Sequence, residues 1–218
     1  MEATVKPRVK ICCISSIVEA QLAIAYGASA VGLVSQMPSG PGVIDEELIA
    51  EIASHVPPPV ATFLLTCAES AAEIIAQQHR TRVNTIQIVD RVPPSVYADL
   101  RRALPGISLV QVIHVAGSES IEESLRVAPD VDAILLDSGN QSLPVKELGG
   151  TGRTHDWLLS RRIREAVPVP LFLAGGLRPD NIRAAIEAVG PFGVDLCSGV
   201  RSDGRLDEVK LAQFFAAI

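Results

Sequence analysis

Residues 8–34 read RVKICCISSIVEAQLAIAYGASAVGLV, and this stretch holds one full turn of the pattern that decides the fold. Arg8 to Cys12 is a short apolar, β-branched run. A helical pattern follows from Ser16 to Tyr26 and closes at Gly27, after which a second apolar run spans Ala30 to Val34. Ser16 with Glu19 three residues later predicts a capping box, in which side chains satisfy the amides that a helix start leaves free. Gly27 is a natural stop, because glycine enters the left-handed conformation that ends many helices.

The same strand-then-helix unit recurs outward along the chain. Ala30 to Val34 is followed by a Gly/Pro-rich loop, Ser35 to Val43, and a helix from about Asp45 to Ser54. Val60 to Leu65 precedes a helix from Ala68 to His79, and Thr85 to Ile88 precedes one from Pro94 to Ala103. The second half repeats the pattern: Ser108 to Ile113 with Ser118 to Val127, then Ala133 to Leu136 with Asp156 to Ala166 after a long loop, Asp137 to His155. Leu171 to Ala174 pairs with a helix from Asp180 to Val189, and Val194 to Cys197 with a final helix from Leu206 to Ala217. No linker or composition break interrupts the series. Eight such units predict one α/β domain over residues 1–218, a single (β/α)8 TIM barrel whose active site lies at the C-terminal strand ends. A doubly wound open sheet is the competing arrangement, but its glycine-rich dinucleotide fingerprint is absent after the first strand.

Composition bounds the function. The 218 residues carry 19 Lys plus Arg against 25 Asp plus Glu, a formal charge of −6, with 48% hydrophobic and 20% charged residues. That balance suits a soluble globular chain. It argues against nucleic-acid or anionic-membrane partners, which need a positive footprint. It leaves room for a local phosphate pocket. Met1 to Val9 carries Glu2, Lys6 and Arg8 and no apolar run, and the longest apolar stretches, such as Val60 to Leu65, are strand-length. The expectation is therefore a cytoplasmic protein without a signal peptide or membrane span. Cys12, Cys13, Cys67 and Cys197 form no CxxC pair and no metal-ligand spacing, which predicts reduced thiols and no metal site. The ordinary role of each is that of a small buried hydrophobe. A homodimer is the candidate assembly.

Three glycine clusters fall at strand ends. Gly175 and Gly176 follow the seventh strand, Ser198 and Gly199 follow the eighth, and Gly149-Gly150-Thr151-Gly152-Arg153 lies in the loop after the sixth. Glycine lets backbone approach a ligand closely, and amides at a helix start favour anions. The loops after strands seven and eight are the usual phosphate site of this fold. The alternative is that these glycines only make turns. Arg153 faces either the phosphate or solvent, Asp156 caps the following helix, and His155 reads as structural because nothing pairs it with a nucleophile.

Cys12 ends the first strand and Asp137 follows the sixth, so both point at the barrel mouth. Alternation puts Lys10 and Cys12 on one face, and Ala133, Leu135 and Asp137 on one face. A thiol beside a cation makes a good base, and a carboxyl opposite it can serve as the acid. Lys10 has two readings: an interior ion pair with Asp195 on the neighbouring eighth strand, or a direct catalytic role.

Lys10-Ile11-Cys12, Leu135-Leu136-Asp137, the cluster from Gly149 to Trp157, Gly175-Gly176-Leu177 and the stretch from Gly193 to Val200 together resemble phosphoribosylanthranilate isomerase over nearly the whole chain. The resemblance implies an intramolecular aldose–ketose isomerase of tryptophan biosynthesis: an Amadori rearrangement of N-(5-phosphoribosyl)anthranilate to the 1-deoxyribulose 5-phosphate product. It implies Cys12 as general base and Asp137 as general acid, no cofactor, and a substrate phosphate held near Gly152, Gly175, Gly176, Ser198 and Gly199.

The chain departs from that family in three places. The family's Lys-Ser-x-Arg after strand two, whose arginine meets the anthranilate carboxylate, reads Pro38-Ser39-Gly40-Pro41 here. Its Gln-Leu-His-Gly after strand four reads Gln87-Ile88-Val89-Asp90, and the glycine after the cysteine is Cys13. A bidentate arginine clamp has no substitute in proline. Arg91 and Arg153 are therefore the candidate replacement cations. Two alternatives stand beside the isomerase: a paralogue acting on a different phosphorylated sugar amine, and a non-catalytic phosphate-ligand barrel.

Overall fold

Eight parallel strands pair in chain order and close on themselves in the computed structural model, which describes residues 6–140 and 143–218. They are β1 (Arg8–Ile11), β2 (Ala30–Val34), β3 (Ala61–Thr66), β4 (Thr85–Ile88), β5 (Ser108–His114), β6 (Ala133–Asp137), β7 (Leu171–Leu173) and β8 (Gly193–Leu196). Closure comes from β8 against β1, in a register that sets Lys10 opposite Asp195. The connecting helices are α1 (Ile17–Ala25), α2 (Glu46–Ser54), α3 (Ala71–Thr81), α4 (Pro94–Ala103), α5 (Glu119–Val127), α6 (Trp157–Ala166), α7 (Ile182–Val189) and α8 (Glu208–Ala217). The expected (β/α)8 barrel is the observed fold. Residues 1–5 of the Met1 to Val9 reading, and Gln141 and Ser142 of the long sixth loop, lie outside the described residues.

The alternation of each strand sorts side chains into two layers. Outward positions such as Ile11, Leu33, Leu64, Ile86, Leu136 and Val194 are fully buried beneath the helices. Inward positions such as Ala30, Phe63, Val110, Ala133, Leu135 and Phe172 fill the barrel interior. This is a packed core rather than a pore. Gly32 on β2 has a steric reason: a Cβ there would come within 2.8 Å of Cys12 Sγ and 3.0 Å of Lys10 Nζ. The missing side chain makes the room that the Lys10 head group occupies.

Short polar residues end the loops that launch helices. Ser16, Asp45, Ser70, Asp156 and Asp207 each accept a first-turn amide with the side chain, a contact typically worth about 1 kcal/mol. The capping box expected at α1 is only half formed. Ser16 Oγ accepts from Glu19 N, but the Glu19 carboxylate accepts from Ser15 N, Leu206 N and Arg201 instead of the Ser16 amide. A long-range cation has taken the carboxylate from the local motif.

The last helix starts later than Leu206, because a hairpin occupies the chain up to that residue and Asp207 caps the helix. Residues after β8 form a 3₁₀ turn, Ser198–Val200, and a hairpin of β9 (Arg201–Ser202) with β10 (Arg205–Leu206). The hairpin turns at Asp203 and Gly204, both at positive φ. α3 and α7 likewise begin a few residues after the expected Ala68 and Asp180.

Candidate active site

A cavity opens at the C-terminal ends of the strands. Cys12, Asp137, Gly152, Gly175, Gly176 and Ser198 all line it, brought together from loops after β1, β6, β7 and β8. Gly199 belongs to the adjoining 3₁₀ turn.

Beneath the cavity, Lys10 is completely buried and its Nζ lies 2.8 Å from Asp195 Oδ2. The same nitrogen sits 5.2 Å from the centre of the Phe63 ring, where the negative ring face favours a cation. Burial alone works against the ammonium, but Asp195 and the Cys12 sulfur more than offset it, so Lys10 is held protonated above its ordinary range. The ion pair is therefore what Lys10 makes, and its charge acts on Cys12 from below. Burial pushes the Asp195 carboxyl up against the pull of Lys10, and Asp137 adds to that push. Asp195 Oδ1 has no partner among the described residues.

Cys12 is buried at the edge of the cavity. A hydrogen bond from the Cys13 thiol and the field of Lys10 outweigh the desolvation of the sulfur and hold the Cys12 thiol below its ordinary range. Depressed thiols of this kind are the ones that act as bases and nucleophiles. Asp137 is held by its own following turn: Oδ1 accepts from Ser138 N at 2.7 Å, and Ser138 Oγ meets Thr151 Oγ1 at 2.7 Å. Gly149, at φ 138°, packs on the other oxygen, since a Cβ there would lie 2.8 Å from Asp137 Oδ2. The sixth loop thus orients the carboxyl.

The glycines in the loops after β7 and β8 do a structural job. A Cβ on Gly176 would meet Arg153 C at 2.7 Å and Thr154 N at 2.8 Å, and one on Gly199 would collide with the Leu177 carbonyl. Three loops therefore merge backbone to backbone, which presents main-chain groups rather than side chains to the cavity. Asn181 ties this corner together, accepting from Arg178 N and donating to Gly176 O.

The opposite wall is apolar, built from Val34, Met37, Leu65, Val89 and Leu148. No Lys or Arg lines the cavity among the described residues. The two candidate replacement cations have carboxylate partners in the structure. Arg91 forms a two-pronged ion pair with Glu123 of α5 at 2.7 and 2.8 Å, and Arg153 pairs with Glu147. Each guanidinium has a carboxylate outside the cavity and turns to it. His155 is mostly buried and held neutral by desolvation against the pull of Asp137, with both ring nitrogens unpartnered among the described residues. It borders a separate cleft beside Arg153 and Arg162.

Sequence reading missed several participants. Gln87 lines the cavity with its Oε1 unpartnered among the described residues. Its inward position on β4, one residue beyond Ile86 of the outer layer, was the available signal. Cys13 and Cys197 also line the cavity. Lys146 bridges the sixth loop to Asp90 and Glu69, while its carbonyl accepts from Ser39 Oγ at 2.6 Å. Loops two and six thereby join across the barrel mouth.

A closed parallel barrel with a cavity at the C-terminal strand ends, lined by both polar and apolar residues, is a (β/α)8-barrel site of the kind that serves enzymes. The family model described as N-(5'phosphoribosyl)anthranilate (PRA) isomerase matches residues 9–217, and the chain belongs to that family. It is 35% identical to the N-(5'-phosphoribosyl)anthranilate isomerase of Methanosarcina acetivorans, over 98% of this chain and 94% of that one. Among solved structures it resembles phosphoribosyl anthranilate isomerase from Thermotoga maritima, with TM-score 0.82 and 30% identity over 97% of this chain and 98% of that one. It is also similar to a phosphoribosyl anthranilate isomerase solved with reduced 1-(o-carboxyphenylamino)-1-deoxyribulose 5-phosphate, with TM-score 0.80 and 28% identity over 97% and 98% of the two chains.

Proposed function

We propose that the chain catalyses the Amadori rearrangement of N-(5-phosphoribosyl)anthranilate in tryptophan biosynthesis, with Cys12 as general base and Asp137 as general acid. One observation carries the assignment. The two side chains reach a single cavity from β1 and β6, and only the thiol side has a buried ammonium beneath it.

Asp137 protonates the ribose ring oxygen while the substrate nitrogen donates its lone pair to C1. The C1–O bond breaks and a Schiff base forms. Cys12 then takes the C2 proton, and the electron pair moves into the C1–C2 bond to give an enolamine, which tautomerises to the ketone. Atoms are conserved, and the substrate nitrogen serves as the electron sink, so the steps call for no cofactor. The backbone at Gly152, Gly175, Gly176, Ser198 and Gly199 holds the phosphate, supported by the merging of three loops there. The unpartnered oxygens of Asp195 and Gln87 supply acceptors for sugar hydroxyls, since buried acceptors are nearly always satisfied in a complete site.

The apolar wall without a cation favours a second reading. A paralogue that keeps the acid–base pair but takes a phosphorylated sugar amine lacking the carboxylate would fit Val34, Met37, Leu65, Val89 and Leu148. Loss of the fluorescence of fresh phosphoribosylanthranilate, followed against an Asp137→Asn control, separates the two. Turnover on the order of 1 s⁻¹ or faster supports the first reading; a folded protein without turnover overturns it in favour of the second. The four free thiols support a cytoplasmic setting, and light scattering of the purified chain tests the homodimer.

A further inference from the structure

We propose that Cys13 and Cys197 form a reversible oxidation site at the cavity rim, closing to a disulfide that switches the isomerase off. The effect on activity rests on the catalytic reading above; the disulfide itself does not.

The two sulfurs lie 2.7 Å apart although neither residue is near the other in sequence. That is well inside ordinary non-bonded sulfur contact, and about 0.7 Å of further approach completes a bond. The geometry is held from the backbone. Cys13 sits at φ 60°, in the left-handed region that a side chain enters at a cost. Arg201 secures that conformation by donating to the carbonyls of both Cys12 and Cys13 while it is itself anchored by Glu19. Both thiols line the cavity, so a small oxidant that enters the mouth reaches them.

The oxidant class is a peroxide. Cys197, the less buried of the pair, attacks hydrogen peroxide: an S–O bond forms, the O–O bond breaks, and hydroxide leaves with the thiol proton as water. Cys13 sulfur then attacks Cys197 sulfur: the S–S bond forms, the S–O bond breaks, and a second water leaves with the Cys13 proton. Two thiols lose two electrons and one peroxide gains them. Hydrogen bonding with the Cys12 and Cys197 sulfurs, together with burial, holds the Cys13 thiol above its ordinary range, so Cys13 is not the sulfur that meets the oxidant first.

Closing the bond removes the single Cys13 proton, which is shared between Pro41 O, 3.6 Å from Sγ, and the Cys12 sulfur. Gly42 packs directly on Cys13, since a Cβ there would lie 2.5 Å from Cys13 Cβ. Oxidation therefore releases the second loop and strips a hydrogen bond from the base in one step.

The test treats the reduced, full-length protein with hydrogen peroxide, alkylates remaining thiols, and maps peptides by mass spectrometry alongside phosphoribosylanthranilate turnover. A Cys13–Cys197 link is expected, with turnover lowered about tenfold or more and restored by dithiothreitol. Cys13→Gly and Cys197→Ser should each lose the link, and the ratio of oxidised to reduced activity should rise to near one in both. A Cys12–Cys13 link, no link, or a link with unchanged turnover overturns the proposal. Reduced protein that forms the link but never turns over phosphoribosylanthranilate overturns the switch and the isomerase reading together, whereas active reduced protein without the link overturns this inference alone.

Discussion

Lys10 Nζ and Asp195 Oδ2 meet at 2.8 Å beneath the cavity, the ammonium wholly shielded from water and the carboxylate nearly so. Register places them, because β8 pairs with β1 so that the two residues stand opposite each other. Replacing Lys10 with Met leaves a buried carboxylate without its partner, which should destabilise the fold by about 3–5 kcal/mol in urea unfolding. The double variant Lys10→Met/Asp195→Leu should recover most of that loss. A single variant as stable as the parent contradicts the pair's structural role.

The same ammonium sets a pH dependence. As the proposed general base Cys12 acts deprotonated, and its thiol is held low by Cys13 and by Lys10. The acid limb of kcat/KM should therefore lie below the pH at which a free thiol titrates, and Lys10→Met should move it upward. A pH–rate profile with an unmoved limb assigns the limb to another group.

Asp137→Asn and Cys12→Ser should each lower kcat by about 10²–10⁴-fold, the usual contribution of a positioned acid or base. Thermal unfolding should barely change, since Asn keeps the Ser138 contact and Ser is close in size to Cys. Full activity in either variant sinks the assigned role.

Glu19 links α1 to the last hairpin through Arg201 and Leu206. Burial alone would push its carboxyl up, but Arg201 and the amides of Leu206 and Ser15 prevail and hold it below the usual carboxylate range. The carboxylate's contribution is thus present above the ordinary glutamate value and lost as pH falls through the lower folded one. Glu19→Gln should cost about 1.5–3 kcal/mol at neutral pH, and the difference from the parent should shrink in acid. Urea unfolding at neutral pH and near pH 3 reads both.

Arg91→Ala should leave KM and kcat unchanged and shift stability by at most about 1 kcal/mol, because the guanidinium it removes is largely exposed. A raised KM would make Arg91 the missing carboxylate clamp after all.

The legible part of this protein was periodic or local. β2, β4 and α4 have the expected ends because apolar runs, caps and a first-turn proline act over a few residues. Cys12 and Asp137 were legible as cavity residues because strand ends in a barrel share one mouth. What escaped was long-range competition for polar groups. Arg91 and Arg153 looked available from composition alone, yet Glu123 and Glu147 hold them outside. Glu19 looked like a capping residue and became the anchor of Arg201.

The order of hydrophobic runs, their periods and their glycine punctuation by themselves determined the barrel and the end of it that carries the chemistry, since each is a property of chain neighbours. Only the tertiary structure decided that Cys13 and Cys197 lie in contact, that Gly32 vacates the space for Lys10, and that no cation faces the apolar wall among the described residues. Those facts depend on distance between residues far apart in sequence: closure of β8 on β1 brings Cys197 to Cys13, and the pairing of β2 with β1 brings Gly32 to Lys10.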